Sequence, residues 1–240
     1  NSPDATLNGA YLASKNLKEN EKIVLVGDEN IAKKWFLSNH IDSSIFEFIH
    51  ADEVITMNEH ATKALRKKPN NSISVGFKAL KEKKIDVFSS AGNSGAMLVG
   101  SMFSIGPIKG VIRPSITSVL PKKNGGVGLI LDVGVNADCK PDVLFQFAIL
   151  GSLFAENIYN IKTPRVGLLN IGEEKGKGNL LTQATYRLLE DNDDINFIGN
   201  VEGRDLFNDK ADVIVCDGFT GNVVLKLAES FYTLINQKKI

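Results

Sequence analysis

The residues best suited to chemistry fall in four groups, each placed where an apolar run gives way to polar residues. The groups are Asp132 with Asn136, Asp138 and Lys140; Asn170 with Glu173 and Lys177; Asn200 with Glu202; and Asp217 with Asn222. Lysine ammonium groups, asparagine amides and backbone N–H groups exposed by glycine bind phosphate or stabilise an oxyanion without a covalent step. This inventory suits transfer of an acyl group to or from phosphate, because phosphate is held in place and preset donors meet the developing oxyanion.

Other common catalytic machinery has no motif here. The sequence contains no Gly-x-x-x-x-Gly-Lys-Ser/Thr phosphate loop and no Gly-x-Ser-x-Gly nucleophile elbow, so neither nucleotide hydrolysis nor serine-esterase chemistry is indicated. His40, His50 and His60 all lie in the first quarter, away from the four groups, which disfavours a histidine-based triad. Cys139 and Cys216 have no evident basic partner, and a buried structural cysteine is the commoner case.

The elements that must position these groups are strands alternating with helices. Strands are predicted at 22–27, 46–51, 85–89, 127–133, 165–170, 195–199 and 211–217. Helices are predicted within 1–20, through Trp35, at 59–68, 72–84, 97–103, 141–159 and 179–190, and from the turn 218–222 to about Lys238. This alternation predicts a parallel sheet covered on both faces. The turn Gly125-Gly126 joins Ile116–Leu120 to the strand at 127–133, which predicts one antiparallel addition.

The stretch Ile130–Pro141 shows how the groups would meet. Its apolar half is typical of a buried parallel strand, and its polar half begins where that strand emerges at its carboxyl end. Ligands bind at that edge of open α/β sheets, and the carboxyl ends of parallel strands lie along it. Any one polar group is explained by helix capping or turn formation, but the recurrence at four strand ends favours a shared site.

A fifth segment, SAGNSGA at Ser90–Ala96, lies between a predicted strand and a predicted helix. Its small residues let backbone approach a ligand, and a helix amino terminus offers free N–H groups to an anion. Gly92 and Gly95 are equally consistent with a tight turn alone. The basic run Arg66, Lys67 and Lys68 just before Pro69 favours a solvated, charged face.

Composition excludes several classes of protein. Lys and Arg number 28 against 28 Asp and Glu, so the charge balance gives no reason to expect a nucleic-acid partner. Two cysteines are too few for a disulfide framework, which indicates a reducing cytoplasm. No apolar run reaches the ~20 residues of a membrane-spanning helix, and no signal segment is evident, so a soluble or peripheral protein is expected.

Five motifs in order carry a family resemblance: SAGNSGA, LDVGVNADCKP, LLNIGEEKGKGN, FIGNVEGRD and VCDGFTGNVVLK. Together they resemble the bacterial phosphate acyltransferases of phospholipid synthesis (the PlsX family) over nearly the whole chain. The resemblance implies an enzyme without cofactor or metal that converts acyl-[acyl-carrier-protein] and inorganic phosphate into acyl phosphate and free carrier protein. It implies a three-layer α/β/α fold, isocitrate/isopropylmalate-dehydrogenase-like and shared with phosphotransacetylases, with a mostly parallel sheet and some antiparallel strands.

The resemblance also implies partners and a location. Members are usually homodimers and associate peripherally with the membrane, where acyl phosphate feeds the glycerol-3-phosphate acyltransferase. A cytoplasmic protein, peripheral at the inner face of the membrane, is therefore expected. Residues 1–240 would form a single α/β acyltransferase domain, and because members normally begin with a strand ending in Met-Gly-Gly-Asp, the resemblance implies that this first strand and the C-terminal part are missing.

Roles for individual residues follow from the same resemblance. Lys177 is the first choice for contact with phosphate or acyl phosphate, and Lys140 is the second. Asn93 and Asn222 would orient phosphate or the thioester carbonyl, while Asp217 would position Lys177 or a donor. The remaining residues expected to bind substrate or phosphate are Ser90, Gly92, Ser94, Gly95, Asp132, Asn136, Asn170, Glu173, Asn200, Glu202, Gly218, Thr220 and Gly221.

Two enzymatic alternatives stay open, together with a non-enzymatic one. A phosphotransacetylase acting on short acyl-CoA would share the fold and chemistry, and a short pocket would distinguish it from an enzyme with a long apolar groove. A dehydrogenase of the related fold is disfavoured because no dinucleotide fingerprint is present. A membrane-recruited scaffold is suggested by an apolar and basic set near the C-terminus: Phe231, Tyr232, Leu234, Ile235, Lys238 and Lys239.

Overall fold

The computed structural model describes residues 3–238, which form two compact units. The first unit ends at Gly106 and the second begins at Pro107. Asn1 and Ser2, which the sequence places at the start of the first helix, and Lys239, which it places beside the last helix, lie outside the described residues. No helix among residues 3–238 combines the length and the apolar character needed to cross a membrane.

The first unit contains a small parallel sheet and five helices among its described residues. Its elements are α1 (Asp4–Ser14), β1 (Val24–Gly27), α2 (Glu29–Ser38), β2 (Glu47–His50), α3 (Ala61–Lys67), α4 (Ser72–Lys81) and α5 (Ser94–Ser104). Side-chain oxygens of Asp28, Asn71 and Asn93 accept backbone N–H groups at the starts of α2, α4 and α5. These caps satisfy donors that a helix start leaves unpaired, and they fix where each helix begins.

The strand predicted at Ile85–Ser89 is wrong. β1 and β2 pair only with each other within the described chain, and the segment after α4 forms no backbone ladder. Val87 is 78% exposed, whereas Phe88 packs edge-on against Phe77 at a ring separation of 5.0 Å. A β-branched run without a neighbouring strand cannot satisfy its backbone groups as a ladder, so it remains irregular.

The second unit carries a five-stranded sheet. Its elements are β3 (Thr117–Pro121), β4 (Val127–Leu131), α6 (Pro141–Tyr159), β5 (Val166–Leu169), α7 (Leu180–Glu190), β6 (Phe197–Val201), β7 (Val213–Val215) and α8 (Gly218–Lys238). The strand order is β3-β4-β7-β5-β6, parallel throughout except that β3 runs antiparallel to β4. The predicted hairpin is confirmed, and Gly125 supplies its positive φ of 83°.

Helices cover both faces of this sheet, as predicted. On one face α6 and α7 pack against alternate strand residues that include Leu129, Leu131 and Val213. On the other face Val224 and Leu225 of α8 pack against residues from the intervening positions. Each large apolar side chain removed from water in this way contributes about 1.5–3 kcal/mol. The second unit is therefore a three-layer α/β/α sandwich.

One irregularity shapes the edge strand β6. Val166 of β5 pairs with Phe197, but Leu168 pairs with Asn200, so β6 contains one extra residue as a bulge. Gly199 lies there with a φ of 94°. The extra residue lets the strand continue through Val201, two residues past its predicted end at Gly199. As a result Asn200 belongs to the strand rather than to the loop after it.

Candidate functional site at the carboxyl edge of the sheet

The four polar groups do meet at one edge of the second unit. They follow or end β4, β5, β6 and β7, which are parallel neighbours in the sheet. The strand order divides them into two halves. Asp132 and Asp217 follow the adjacent strands β4 and β7, while Asn170 and Asn200 belong to the ends of β5 and β6.

Asp132 organises the loop after β4. It is fully buried, and its Oδ1 accepts the N–H of Ile116 at 2.9 Å. Its Oδ2 accepts the backbone N–H of Asn136 at 2.6 Å and the side-chain amide of Asn136 at 2.9 Å. That amide also donates to the carbonyl of Pro114 at 2.9 Å. Both carboxylate oxygens are thus occupied by donors of the protein, which satisfies a buried charge.

The glycines at the start of α8 allow that helix to approach Asp132. A Cβ on Gly218 would lie 2.7 Å from Oδ2 of Asp132 and 2.7 Å from the backbone nitrogen of Asn136. A Cβ on Gly221 would collide with the carbonyl oxygen of Asp132. Close packing therefore accounts for both glycines. Whether they also contact a ligand stays a prediction.

Asp217 caps α8, and its two carboxylate oxygens accept the N–H and the hydroxyl of Thr220, each at 2.8 Å. Asn222, one turn into the helix, is exposed, and its amide oxygen lies 3.2 Å from the position a Cβ would occupy on Gly134. Asn222 therefore remains available to a ligand at this edge. The predicted pairing of Asp217 with Lys177 is not observed among residues 3–238.

The two cysteines near this half are neutral thiols. Burial raises the pKa of Cys139 to about 11, and the carboxylates of Asp132 and Asp217 add to the shift. Burial, together with the same two carboxylates, also raises the pKa of Cys216. The thiolate is the nucleophilic form. Neither cysteine offers that form near neutral pH.

In the other half, Asn170 and Asn200 clamp the loop that carries Lys177. The amide nitrogen of Asn170 donates to the carbonyl of Lys177 and to Oδ1 of Asn200, both at 3.1 Å. Asn200, only 3% exposed, donates in turn to the carbonyl of Glu174 at 2.9 Å. Gly178 closes the loop with a φ of 93°. The two amides therefore hold backbone, and ligand contact by either stays a prediction.

Three cations are exposed at this edge. The Lys177 side chain is 51% exposed, with Glu174 Oε1 at 3.9 Å. Lys140 is exposed directly before α6. Arg113 is a cation that the sequence analysis missed, and its guanidinium donates to the carbonyl of Asp138 at 3.1 Å. The position of Arg113 next to Pro114 was the one feature visible in the sequence. In the structure the Asn136 amide donates to the carbonyl of Pro114, which places Arg113 near the loop after β4.

Glu173 and Glu202, also expected to bind substrate, are ion-paired in the structure. Glu173 lies 2.7 Å from Lys210 and 3.6 Å from Arg204, and the hydrogen bond from Lys210 lowers its pKa. Glu202 lies 2.6 Å from Nε of Arg204. These pairs tie the Lys177 loop to the segment after β6 and neutralise carboxylates that would repel an anion. Ligand contact by either glutamate stays a prediction.

The segment Ser90–Ala96 belongs to the first unit. The Asn93 amide donates to the carbonyls of Thr56, Met57 and Glu59 at 3.1–3.3 Å, and its oxygen accepts the N–H of Ala96 at 3.0 Å. Asn93 thus holds this loop in place. The hydroxyl of Ser90 accepts the N–H of Gly92 at 3.1 Å, while Ser94 and Gly95 are exposed. Their contacts with phosphate stay predictions.

The arrangement in the second unit is suited to an anionic ligand. Asp132, Asn170 and Asn200 hold the loops that present Lys140 and Lys177, and Arg113 lies at the same edge. Preorganised cations hold phosphate and stabilise developing negative charge. Among the described residues, no cluster of three or more His, Cys, Asp or Glu side chains could hold a metal ion.

Comparison with known proteins places this geometry among acyl-transfer enzymes. Residues 1–237 match a family described as fatty acid synthesis protein. Phosphate acyltransferases from Dictyoglomus turgidum and Acetivibrio thermocellus are 48% and 47% identical over 227 and 239 residues, which are 95% and 98% of this chain. The chain spans 67% and 70% of the lengths of these two relatives.

Solved structures show the fold. The EutD phosphotransacetylase from Staphylococcus aureus superposes with a TM-score of 0.66 at 15% identity, covering 96% of this chain and 80% of that protein. A branched-chain phosphotransacylase from Enterococcus faecalis V583 gives a TM-score of 0.65 at 13% identity, with coverage of 96% and 81%. The predicted likeness to the phosphotransacetylase fold is confirmed.

Proposed function

Because this chain belongs to the fatty acid synthesis protein family, we propose that it is a phosphate acyltransferase that converts acyl-[acyl-carrier-protein] and inorganic phosphate into acyl phosphate and free carrier protein. The observation that carries the proposal is the carboxyl edge of the sheet. There the side chains of Asp132, Asn170 and Asn200 form hydrogen bonds with the loops that present Lys140 and Lys177. Such an edge offers exposed lysines to a phosphate.

The proposed reaction needs positioning and charge stabilisation only. Lys177 and Lys140 hold the phosphate dianion, and one phosphate oxygen attacks the thioester carbonyl carbon. The carbonyl oxygen becomes an oxyanion, which the exposed amide of Asn222 stabilises. The oxyanion then collapses, which restores the carbonyl group and breaks the C–S bond. The departing thiolate takes the proton of hydrogen phosphate, so the products are acyl phosphate and the carrier thiol.

Turnover by the intact protein tests the proposal. Purified protein is incubated with acyl carrier proteins bearing C2 to C18 chains, with and without phosphate, and acyl phosphate is trapped as the hydroxamate. We expect phosphate-dependent acyl hydroxamate with long chains. Parallel reactions with acetyl-CoA and long-chain acyl-CoA test the phosphotransacetylase alternative. Efficient use of acetyl-CoA alone would refute the proposal in favour of that alternative.

We also propose that the protein works as a homodimer. Helix α8 exposes an apolar stripe at four-residue spacing, formed by Phe219, Val223, Leu227 and Phe231, each 52–67% exposed. A second copy of the chain would bury this stripe, as isologous interfaces do. Light scattering of the intact protein and of the Leu227→Glu variant tests this. A monomeric wild type, or a dimeric variant of unchanged affinity, contradicts it.

The proposed location is the cytoplasm, with peripheral contact at the inner face of the membrane. There acyl phosphate would pass directly to the glycerol-3-phosphate acyltransferase. Exposed Tyr232 lies within two turns of Lys238 in α8, and an aromatic and a basic side chain together suit a lipid surface. Flotation with anionic vesicles tests the contact. Failure of the wild type to float would contradict it.

A further inference from the structure

Helix α3 carries a group of exposed cations that the proposed chemistry does not use. Lys63, Arg66 and Lys67 are spaced three and four residues apart and therefore share one face of the helix. All three are exposed, and α3 contains no carboxylate. Within residues 3–238 none of them forms an ion pair, whereas their neighbour Lys68 does. Since the whole chain has equal numbers of cationic and anionic residues, this excess of positive charge is local.

Lys68 shows how the surface around α3 is built. Its ammonium turns inward and donates to Glu59 at 2.8 Å and to the carbonyl of Val54 at 2.6 Å. Glu59 also accepts the N–H of Thr56 at 2.7 Å. These bonds hold the segment 54–59 along the helix. Val54 and Met57 of that segment are each 68% exposed, so apolar side chains flank the cations.

We call Val54, Met57, Lys63, Arg66 and Lys67 together the α3 patch. The patch is fixed beside the Ser90–Ala96 loop of the same unit. The amide of Asn93 donates to carbonyls at 56, 57 and 59, and a Cβ on Gly95 would lie 3.3 Å from Cβ of Ala61 at the start of α3. A partner bound to the α3 patch is thus placed next to the loop that the sequence assigns to phosphate or thioester binding.

We infer that the α3 patch is the docking surface for an acidic carrier protein that delivers the acyl thioester, an inference that rests on the proposed function. Cations around small apolar contacts are complementary to an acidic, amphipathic surface, and they steer association and fix its orientation. A carrier that holds its thioester on a tethered arm must dock close to the loop that receives the thioester. A lipid surface is the alternative occupant of such a patch, and vesicle binding tests it below.

Charge reversal of the patch tests the inference. The triple variant Lys63→Glu, Arg66→Glu, Lys67→Glu of the intact protein is compared with wild type using acyl carrier protein and using acyl-pantetheine, the same thioester without the protein. We expect KM for acyl carrier protein to rise about tenfold or more, with kcat unchanged and no change in turnover of acyl-pantetheine. The wild-type dependence of KM on salt should weaken in the variant.

A matched variant separates docking from general charge effects. Lys18→Glu, Lys34→Glu, Lys81→Glu makes the same change in net charge at exposed positions outside the α3 patch, and its KM should stay at the wild-type value. Equal KM values in the two triple variants would overturn the inference. So would loss of binding to anionic vesicles with unchanged KM for acyl carrier protein, since the patch would then contact lipid.

Failure of the proposed function would look different. If wild-type protein makes no acyl phosphate from either donor, the activity is refuted, and an NMR titration of labelled carrier protein still tests docking. Retained binding to wild type that is lost with the α3-patch variant would support the surface alone. Unchanged binding to that variant would overturn it.

Discussion

The buried carboxylates at the two edges of the five-stranded sheet are satisfied in different ways. At the amino edge, Lys122 follows β3, and Arg165 and Asp212 precede β5 and β7. Lys122 and Asp212 lie 2.6 Å apart with side chains only 4% and 9% exposed. Asp212 also pairs with Arg165 at 2.8 Å, and Asp209 contacts both cations at 2.9–3.1 Å. Two cations and two carboxylates neutralise one another there.

At the carboxyl edge Glu173 and Glu202 are also ion-paired, but the groups that hold the loops of Lys140 and Lys177 are satisfied differently. The buried carboxylate of Asp132 is satisfied by N–H donors, and neutral amides of Asn170 and Asn200 hold the adjacent loop. Lys140 and Lys177 remain exposed. The difference teaches that a buried carboxylate can be satisfied by cations or by N–H donors, and that the second arrangement leaves nearby lysines exposed.

Removing Lys122 should disrupt the ion pairs at the amino edge and give the largest loss of stability. Lys122→Ala leaves the buried Asp212 carboxylate with only Arg165 as its cationic partner, so we expect the free energy of unfolding to fall by about 3 kcal/mol. Urea denaturation measures this, while activity per folded molecule should stay unchanged. Lys123→Ala, at the exposed neighbouring position, should change stability by less than about 0.5 kcal/mol. Equal effects of the two variants would contradict the comparison.

Removing Lys177 should lower activity and leave stability unchanged. We expect Lys177→Ala to lower kcat about a hundredfold through loss of a preorganised cation, with the urea midpoint unchanged because the side chain is exposed. Lys175→Ala is the matched control on the same loop. Lys175 pairs with Glu190 at the surface, so its loss should change kcat by less than about twofold. A Lys177→Ala enzyme as active as the control would refute the assignment of the site.

Asn200 holds the loop that carries Lys177, so its removal should lower both stability and activity. Asn200→Ala removes the donor to the carbonyl of Glu174 and one of the two acceptors of the Asn170 amide, which we expect to cost about 1–2 kcal/mol in stability. The loosened loop should also lower kcat. Asn196→Ala, which removes a hydrogen bond to Thr163 at the other end of β6, should affect stability alone. Loss of activity in both variants to the same degree would contradict a local role for Asn200.

Acidification should weaken the amino edge first, with the smallest effect of the four. Burial alone would raise the pKa of Asp212, but hydrogen bonds from Arg165 and Lys122 outweigh it and hold that pKa well below its ordinary value. The stabilisation is therefore complete above the unfolded pKa of about 3.9 and is lost as pH falls toward the folded pKa. Urea midpoints from pH 7 to pH 3 measure this. Asp212→Asn should flatten the dependence, and an unchanged slope would refute the assignment.

Much of the fold follows from local sequence patterns. The alternation of apolar runs and amphipathic segments predicted the parallel sheet, Pro141 predicted the start of α6, and Gly125-Gly126 predicted the hairpin. These features depend on residues adjacent in sequence. The meeting of four polar strand ends was predictable for the same reason, because parallel strands place their carboxyl ends together.

The roles of the polar side chains were less predictable, because their partners are distant in sequence. Asp132 is bound by Ile116, sixteen residues away, and Asn200 is bound to the carbonyl of Glu174, twenty-six residues away. A sequence motif marks such residues as candidates for the site. It does not show whether a side chain holds a loop or contacts a ligand. Lys68 is a second case. Only the fold shows that it pairs with Glu59, so that it does not share the exposed surface of Arg66 and Lys67.

The bulge in β6 has a consequence beyond the position of Asn200. Within the described chain β6 pairs on one side only, and a regular edge strand is a template onto which another molecule can add a strand. The extra residue and the positive φ of Gly199 interrupt the even spacing of its backbone groups. The irregularity that brings an amide to the Lys177 loop thereby also hinders edge-to-edge aggregation, so one local distortion both shapes a loop and protects an exposed strand.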